Sequence, residues 1–221
     1  LIVIIIPVLR RPWRVQPLVD SIEANTLAEH RTLFVASPGD DDEIAAINDV
    51  GAEWIETPEQ YPSGDYARKI NLAYRASWEP LMFLGADDLC FHPDWFEKAS
   101  AKFGGDIGVV GTNDLGNRRV MQGVHATHSL VSREYIDRHG TIDEPHKVLH
   151  EGYQHNWVDT EFVGTAQHRG AFISARESVV EHLHPHWNAD VPVDSTYEHG
   201  LSGFERDRRY YLGRQHLWNG R

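Results

Sequence analysis

The sequence predicts an α/β protein: a mostly parallel, Rossmann-like sheet flanked by helices, with a helical tail at its C-terminal end. Three observations carry this expectation. The chain opens on the unbroken apolar run Leu1-Ile2-Val3-Ile4-Ile5-Ile6, the pattern of a strand buried on both faces. A second such run, Leu81-Met82-Phe83-Leu84, leads through Gly85-Ala86 into two adjacent carboxylates, Asp87 and Asp88. Around and between them, apolar runs alternate with segments of helical spacing, the β-α-β-α-β order of crossover connections in a parallel sheet.

Taken in order, residues 1–6 read as a strand closed by Pro7. From Pro12, a residue suited to a first helical turn, Val15, Leu18, Val19 and Ile22 recur at helical spacing. Residues 32–37 read as a second strand, ended by Pro38-Gly39 and the acidic run 40–43. A short helix over 43–50 and a short strand over 52–56 follow. Residues 61–64 read as loop, and Asp65 as the N-cap of a helix carrying Tyr66, Ile70, Ala73 and Tyr74 on one face. After the strand at 81–86, a helix begins at His92-Pro93-Asp94 and ends at Gly104-Gly105, and 107–111 is again strand. Beyond this the alternation weakens. Residues 112–117 read as a polar turn, 120–131 as one or two short strands, 132–139 as helix, and 140–154 as a loop long enough to be functional. A helix over 160–167, two strands over 171–174 and 179–184, and a mostly helical segment over 196–218 complete the expectation.

The composition is that of an ordinary globular protein: 221 residues, 41% hydrophobic and 24% charged. The net charge of −12 excludes a broadly basic nucleic-acid footprint. Cys90 is the only cysteine, so no intramolecular disulfide forms and nothing indicates an oxidising compartment; the expected location is cytoplasmic. The opening apolar run is too short to span a bilayer and has no basic segment before it, so no membrane insertion is expected. The first residue is Leu1 rather than Met, which reads as a trimmed or engineered N-terminus.

Four acidic or histidine-bearing places fall at element ends: 40–42, Asp87-Asp88, 159–161, and His182/His184/His186. Adjacent acids repel one another and draw a cation. In a strand, residues two apart share a face, so His182 and His184 point the same way as Val180. Carboxylates with an imidazole suit Mn2+ or Mg2+, Mn2+ the better of the two, and such an ion commonly clamps the phosphates of a nucleotide. Neither a P-loop nor a Gly-x-Gly-x-x-Gly turn is present. What remains is a nucleotide site built on a metal and strand-end acids.

In this order the motifs resemble those of the GT-A glycosyltransferases, glycosyltransferase family 2 in particular. Ile4-Ile5-Ile6-Pro7-Val8 looks like the first strand of that family, Phe34-Val35-Ala36-Ser37-Pro38-Gly39-Asp40-Asp41 like its second. Ala67-Arg68-Lys69-Ile70-Asn71 falls where the family has a basic helix. Phe83-Leu84-Gly85-Ala86-Asp87-Asp88 resembles its Asp-x-Asp segment, with Gly85 in place of the first acid. Trp157-Val158-Asp159-Thr160-Glu161 resembles its later acidic motif, and Val180-Glu181-His182-Leu183-His184 the strand that returns a metal-binding histidine.

The resemblance implies a GT-A catalytic domain over 1–187, with a nucleotide-sugar half at 1–111 and an acceptor and metal half at 112–187, and a tail over 188–221 packed on it. It implies transfer of a hexosyl or pentosyl group from a nucleoside diphosphate sugar, a UDP-sugar above all, to an acceptor hydroxyl with inversion. Asp87 with His184 or His182 would hold the metal. Pro7, Val8, Arg10, Asp40, Asp41, Arg68, Lys69, Ala86, Asp87 and Asp88 would surround the donor. Asp159 would act as general base, with Glu161 in reserve. Trp157, Tyr153 and His125, together with His128 and His155, would line the acceptor side. The acceptor stays open between a saccharide, a small molecule and a modified base of DNA, as does the oligomeric state. A nucleotidyltransferase and an inactive sugar-nucleotide-binding domain are the alternative readings.

Overall fold

The computed structural model describes residues 1–61 and 65–219; the loop expected at 61–64 falls, after Tyr61, outside the described residues. The elements are β1 (Ile2–Pro7), α1 (Pro12–Asn25), β2 (His30–Ala36), α2 (Asp41–Asp49), β3 (Glu53–Glu56), α3 (Tyr66–Arg75), β4 (Leu81–Leu84) and β5 (Leu89–Phe91). They continue with α4 (Trp95–Ser100), β6 (Val109–Asn113), α5 (Arg118–Met121), β7 (Ser129–Ser132), α6 (Arg133–His139), α7 (Val158–His168) and β8 (Phe172–His182). The tail holds α8 (Ser195–Ser202), α9 (Phe204–Arg214) and α10 (His216–Asn219).

One sheet, ordered β3-β2-β1-β4-β7-β6-β8-β5, runs through the molecule. Its first half is parallel, β2 beside β3 and β1 between β2 and β4. Its second half is mixed, because β7 pairs antiparallel with both β4 and β6, while β6 and β8 run parallel. The opening apolar run behaves as its composition requires. Every residue of β1 is buried, and alternate side chains enter opposite layers. Val3 and Ile5 join the core under α3 and α7, which also receives Tyr211 and Trp218 from the tail. Ile2, Ile4 and Ile6 join the core under α1, with Trp95 of α4 packed edge-on to Phe83 and Phe91.

Three details differ from the expectation, each for a physical reason. The two strands expected over 171–184 are one, β8, carrying a bulge: Thr112 pairs with Ala175 but Asn113 with Val179. The extra residues include exposed Arg176 and Glu177, whose polarity mimics a loop. Residues 120–131 hold the end of α5 as well as β7. Strand β5 was not expected at all; it is three residues long and pairs antiparallel with β8.

Strand β5 decides the geometry of the acidic pair. After β4, an interior strand, the chain crosses residues 85–88 and resumes pairing at the β8 edge of the sheet. Gly85 is the hinge of this crossing: a Cβ there would lie 2.7 Å from Ile6 Cδ1 and 3.0 Å from the Ile5 carbonyl oxygen. The register Leu89↔His182 then sets Asp88 beside the end of β8, where Leu183 N–H donates to the Asp88 carbonyl at 2.8 Å. Among the described residues no helix is long and apolar enough to cross a membrane.

Candidate active site

A cavity of about 610 Å3 opens at the carboxyl ends of β1 and β4, the crevice where open α/β sheets receive ligands. Pro7, Val8, Lys69, Ala86, Asp87 and Asp88 form its donor-side wall. Trp157, Asp159, His125 and His128 lie across it, and His182 and His184 line it as well.

The two acids are in different hands. Asp87 Oδ1 accepts from Arg11 Nη1 at 2.9 Å. Asp88 Oδ2 accepts from the Tyr197 hydroxyl at 2.9 Å, and Asp88 Oδ1 lies 3.2 Å from His182 Nε2. Burial works against charge on both. At Asp88 it is outweighed by His182 and Arg11, which hold that carboxyl well below the ordinary range. At Asp87 burial, reinforced by the charge of Asp88, overcomes Arg11 and raises the group. His182 is raised: burial opposes its charge, but Asp88 outweighs it. Burial, with His182 next to them, pushes His184 down to about 4 and His128 down to about 3.

Arg11 is clamped from the tail. Asp194 takes its Nε at 3.0 Å and its Nη2 at 2.9 Å, and the guanidinium lies 3.8 Å over the Tyr197 ring. Asp194 also caps α8, accepting from the backbone of Thr196 and Tyr197. Thr196 Oγ1 donates to the Leu9 carbonyl at 3.0 Å. One short strap, 194–197, is thereby tied to the loop after β1 and to the acidic pair. Beneath that loop, Glu43 is fully buried; its Oε2 accepts Arg11 N–H at 2.5 Å and its Oε1 has no partner among the described residues. Burial raises this carboxyl to about 7, opposed by the Arg11 hydrogen bond.

On the other wall, Asp159 lies in the first turn of α7, where the helix N-terminus favours a negative charge. Its Oδ2 lies 3.1 Å from His125 Nε2. Burial alone would raise it, but His125 prevails and the carboxyl is lowered. The preceding Trp157 holds a left-handed backbone, φ 68°, and its ring packs on Tyr211 and Phe204 at 5.1 and 5.7 Å. A non-glycine residue in that conformation stores strain, and such residues gather at functional sites.

Other expected residues stand elsewhere. Glu161 is buried away from this cavity: its carboxylate accepts from the Tyr153 hydroxyl at 2.5 Å and from Arg214 at 2.8 and 2.9 Å. The reserve base is therefore a structural anion: two residues beyond Asp159 in α7, it points to the other side of that helix, and Tyr153 is its partner rather than a cavity wall. Arg10, Asp40, Asp41 and Arg68 do not line the cavity. Asp40 instead accepts the Arg10 backbone N–H at 2.8 Å, and Arg68 meets Glu151 at 3.2 Å. Lys69 does line it, but its Nζ is committed to the Val8 carbonyl at 2.6 Å and to Asp65 at 2.8 Å. Asp65, expected as an N-cap, makes no side-chain cap; it receives Lys69 and the Ser37 hydroxyl. Arg11, Asp194 and Tyr197 escaped sequence reasoning. Nothing in the run Leu9-Arg10-Arg11-Pro12 separates Arg11 from Arg10, and the tail's partners lie more than 180 residues away in sequence for Arg11 and Asp194.

No protein-family model and no curated protein matches this sequence. Solved structures do match its fold. Glucosyl-3-phosphoglycerate synthase from Mycobacterium tuberculosis, in complex with Mn2+, UDP and glucosyl-3-phosphoglycerate, superposes with a TM-score of 0.67 at 14% identity, covering 96% of this chain and 78% of that one. A mannosyltransferase from Pyrobaculum calidifontis, in complex with GDP-mannose and Mn2+, gives 0.65 at 14% identity, covering 94% of this chain. The present chain spans 64% of that mannosyltransferase's length. The fold is that of the GT-A glycosyltransferases.

Proposed function

We propose that this protein is a glycosyltransferase that moves a sugar from a nucleoside diphosphate sugar, a UDP-sugar above all, to an acceptor hydroxyl with inversion and with help from a divalent metal. The observation that carries this reading is a single cavity with a buried acidic pair on one wall and an ionised, histidine-held carboxylate on the other. The fold neighbours, solved with UDP or GDP-mannose and Mn2+, agree with it.

The residues present fit a divalent ion in kind. Two carboxylates and two imidazoles, Asp87, Asp88, His182 and His184, face one cavity, and the buried Nδ1 of His182 is without a partner among the described residues, although no three of these residues bring ligand atoms within 4.8 Å of one another. A mixed oxygen and nitrogen set favours Mn2+ over Mg2+. When bound, such an ion offsets charge developing on the leaving diphosphate. Arg11 and Tyr197 already occupy the two carboxylates, so this chain's own groups must exchange partners as ion and donor arrive.

Asp159 takes the acceptor proton. It is ionised at neutral pH, and His125 fixes its orientation, so the carboxylate is ready to accept without rearrangement. Trp157 and Phe204 present an apolar face beside it, suited to a sugar ring. Lys69 holds the end of β1 in place through the Val8 carbonyl, which shapes the donor-side wall.

The test is a thermal-shift screen of nucleoside diphosphate sugars with and without Mn2+, followed by assay of nucleotide release. A metal-dependent rise in Tm with one donor, and release of its nucleoside diphosphate, is the expected result. Absence of any shift with every nucleotide sugar overturns the reading.

A further inference from the structure

His128 lines the cavity and, beyond the expectation that it faces the acceptor side, has no assigned task. It immediately precedes β7, and it is 4% exposed. Its ring lies edge-on to His182 at 4.9 Å, next to the acidic pair. Its electrostatic neighbours include both Asp88 and Asp159, so it sits within reach of the fields of both walls.

Its backbone is held from two sides. The carbonyl of His128 accepts from both the backbone N–H and the hydroxyl of Thr112 on β6, each at 3.2 Å. The adjacent Thr127 hydroxyl donates to Asp114 at 2.9 Å. The imidazole Nδ1 is buried and has no hydrogen-bond partner among the described residues. A buried polar atom left unpaired costs stability. A side chain so firmly presented, facing a cavity and unpaired, is organised for a ligand.

The chemistry of the group narrows the ligand. No carboxylate among the described residues is in hydrogen-bond contact with it. In its neutral form an imidazole offers one nitrogen as donor and one as acceptor. That matches a hydroxyl, which both gives and takes a hydrogen bond, better than a phosphate oxygen, which only accepts. Position agrees: the acid pair on one side and the base on the other bracket the place where the transferred group must lie.

We infer that His128 holds a hydroxyl of the transferred sugar and so helps to select the donor's sugar rather than its nucleotide. The inference rests on the transferase reading of the same cavity. It makes His128 a specificity residue that touches substrate without moving its proton.

The experiment compares the donor found in the screen with its singly deoxygenated analogues, using the full chain, His128→Ala and His128→Asn. Asn carries an amide near the position of Nδ1 and is the conservative control. The intact chain is expected to lose about tenfold in kcat/KM on one deoxy donor, the scale of one neutral hydrogen bond. His128→Ala is expected to show a similar loss on the parent donor and no further loss on that deoxy donor, while His128→Asn keeps the discrimination in part. Affinity for the free nucleoside diphosphate stays unchanged in both variants. If His128→Ala discriminates among the deoxy donors as the intact chain does, the inference falls and the transferase reading stands. If it instead needs much more Mn2+ while keeping that discrimination, His128 serves the cation and the inference falls likewise. If the intact chain binds and turns over no nucleotide sugar, both readings fall together.

Discussion

Asp159 carries the sharpest prediction at the scale of single residues. Its carboxyl is buried, which would raise its pKa, yet His125 brings it below the ordinary value of about 3.9. The ionised, proton-accepting form therefore persists from neutral pH down past that value, and the acid limb of the pH–rate profile attributable to this group lies below pH 4 or so. His125→Ala leaves burial unopposed by that partner; the pKa rises and the acid limb moves toward neutrality, which kcat/KM measured against pH will show. Asp159→Asn removes the base and lowers transfer by about 10²- to 10⁴-fold with donor binding retained, checked by initial rates and by nucleotide titration. Glu43 gives a second pH test of opposite sign. Its folded pKa, about 7, lies above the unfolded value, so the folded protein holds this proton more tightly than the unfolded chain. Stability from this group is full below the unfolded pKa and is lost as pH rises to 7 and beyond. Glu43→Gln keeps an acceptor for Arg11 and carries no charge. It should raise Tm at pH 8, at about 2–4 °C per kcal/mol in a chain of this size, and leave it nearly unchanged at pH 4.

At the scale of elements, two short pieces of chain govern the acidic pair. Residues 85–88 cross from β4 to β5, and Gly85 is required there because a side chain would meet Ile6 and the Ile5 carbonyl. The missing first acid of the Asp-x-Asp pattern is thus a consequence of close packing against β1. Gly85→Asp, which restores the pattern on paper, is expected to destabilise the protein by about 1–3 kcal/mol through overpacking without tightening Mn2+; urea unfolding and metal titration check the two halves of this. The strap 194–197 is the other piece. Asp194 both caps α8 and holds Arg11, so Asp194→Ala cuts two ties at once. Hydrogen exchange should rise across 195–202 while β1 and β4 stay protected.

At the scale of the whole molecule, the tail is bolted to the sheet by Arg214. Its guanidinium spans Glu161 and Asp143, while Tyr211 and Trp218 enter the core. Asp143 and Glu144 with His150 bring ligand-type atoms within 4.8 Å of one another, but Arg214 and Lys147 already neutralise those acids, so this cluster works as an ion-pair network. Arg214→Ala strands the buried Glu161 beside Tyr153. A loss of about 3–5 kcal/mol is expected, as when one partner of a buried pair is removed, and equilibrium unfolding measures it.

Much was legible in local pattern. The unbroken apolar run of β1, the helical spacing behind Pro12 and the acids after β4 reflect constraints that act over a few residues, because burial on two faces and helix periodicity are local properties. They were enough to name the α/β fold class and to draw attention to Asp87 and Asp88, while the roles expected of Asp159 and His182 came from the resemblance to the GT-A glycosyltransferases. What only the tertiary structure decided was partnership. Strand β5, too short to announce itself, sets the register that gives Asp88 to His182. Arg11 took Asp87, and Glu161 went to Arg214 instead of the cavity. Those choices depend on pairing between positions roughly fifty to a hundred residues apart, and no local spacing encodes a contact made by closing the chain on itself.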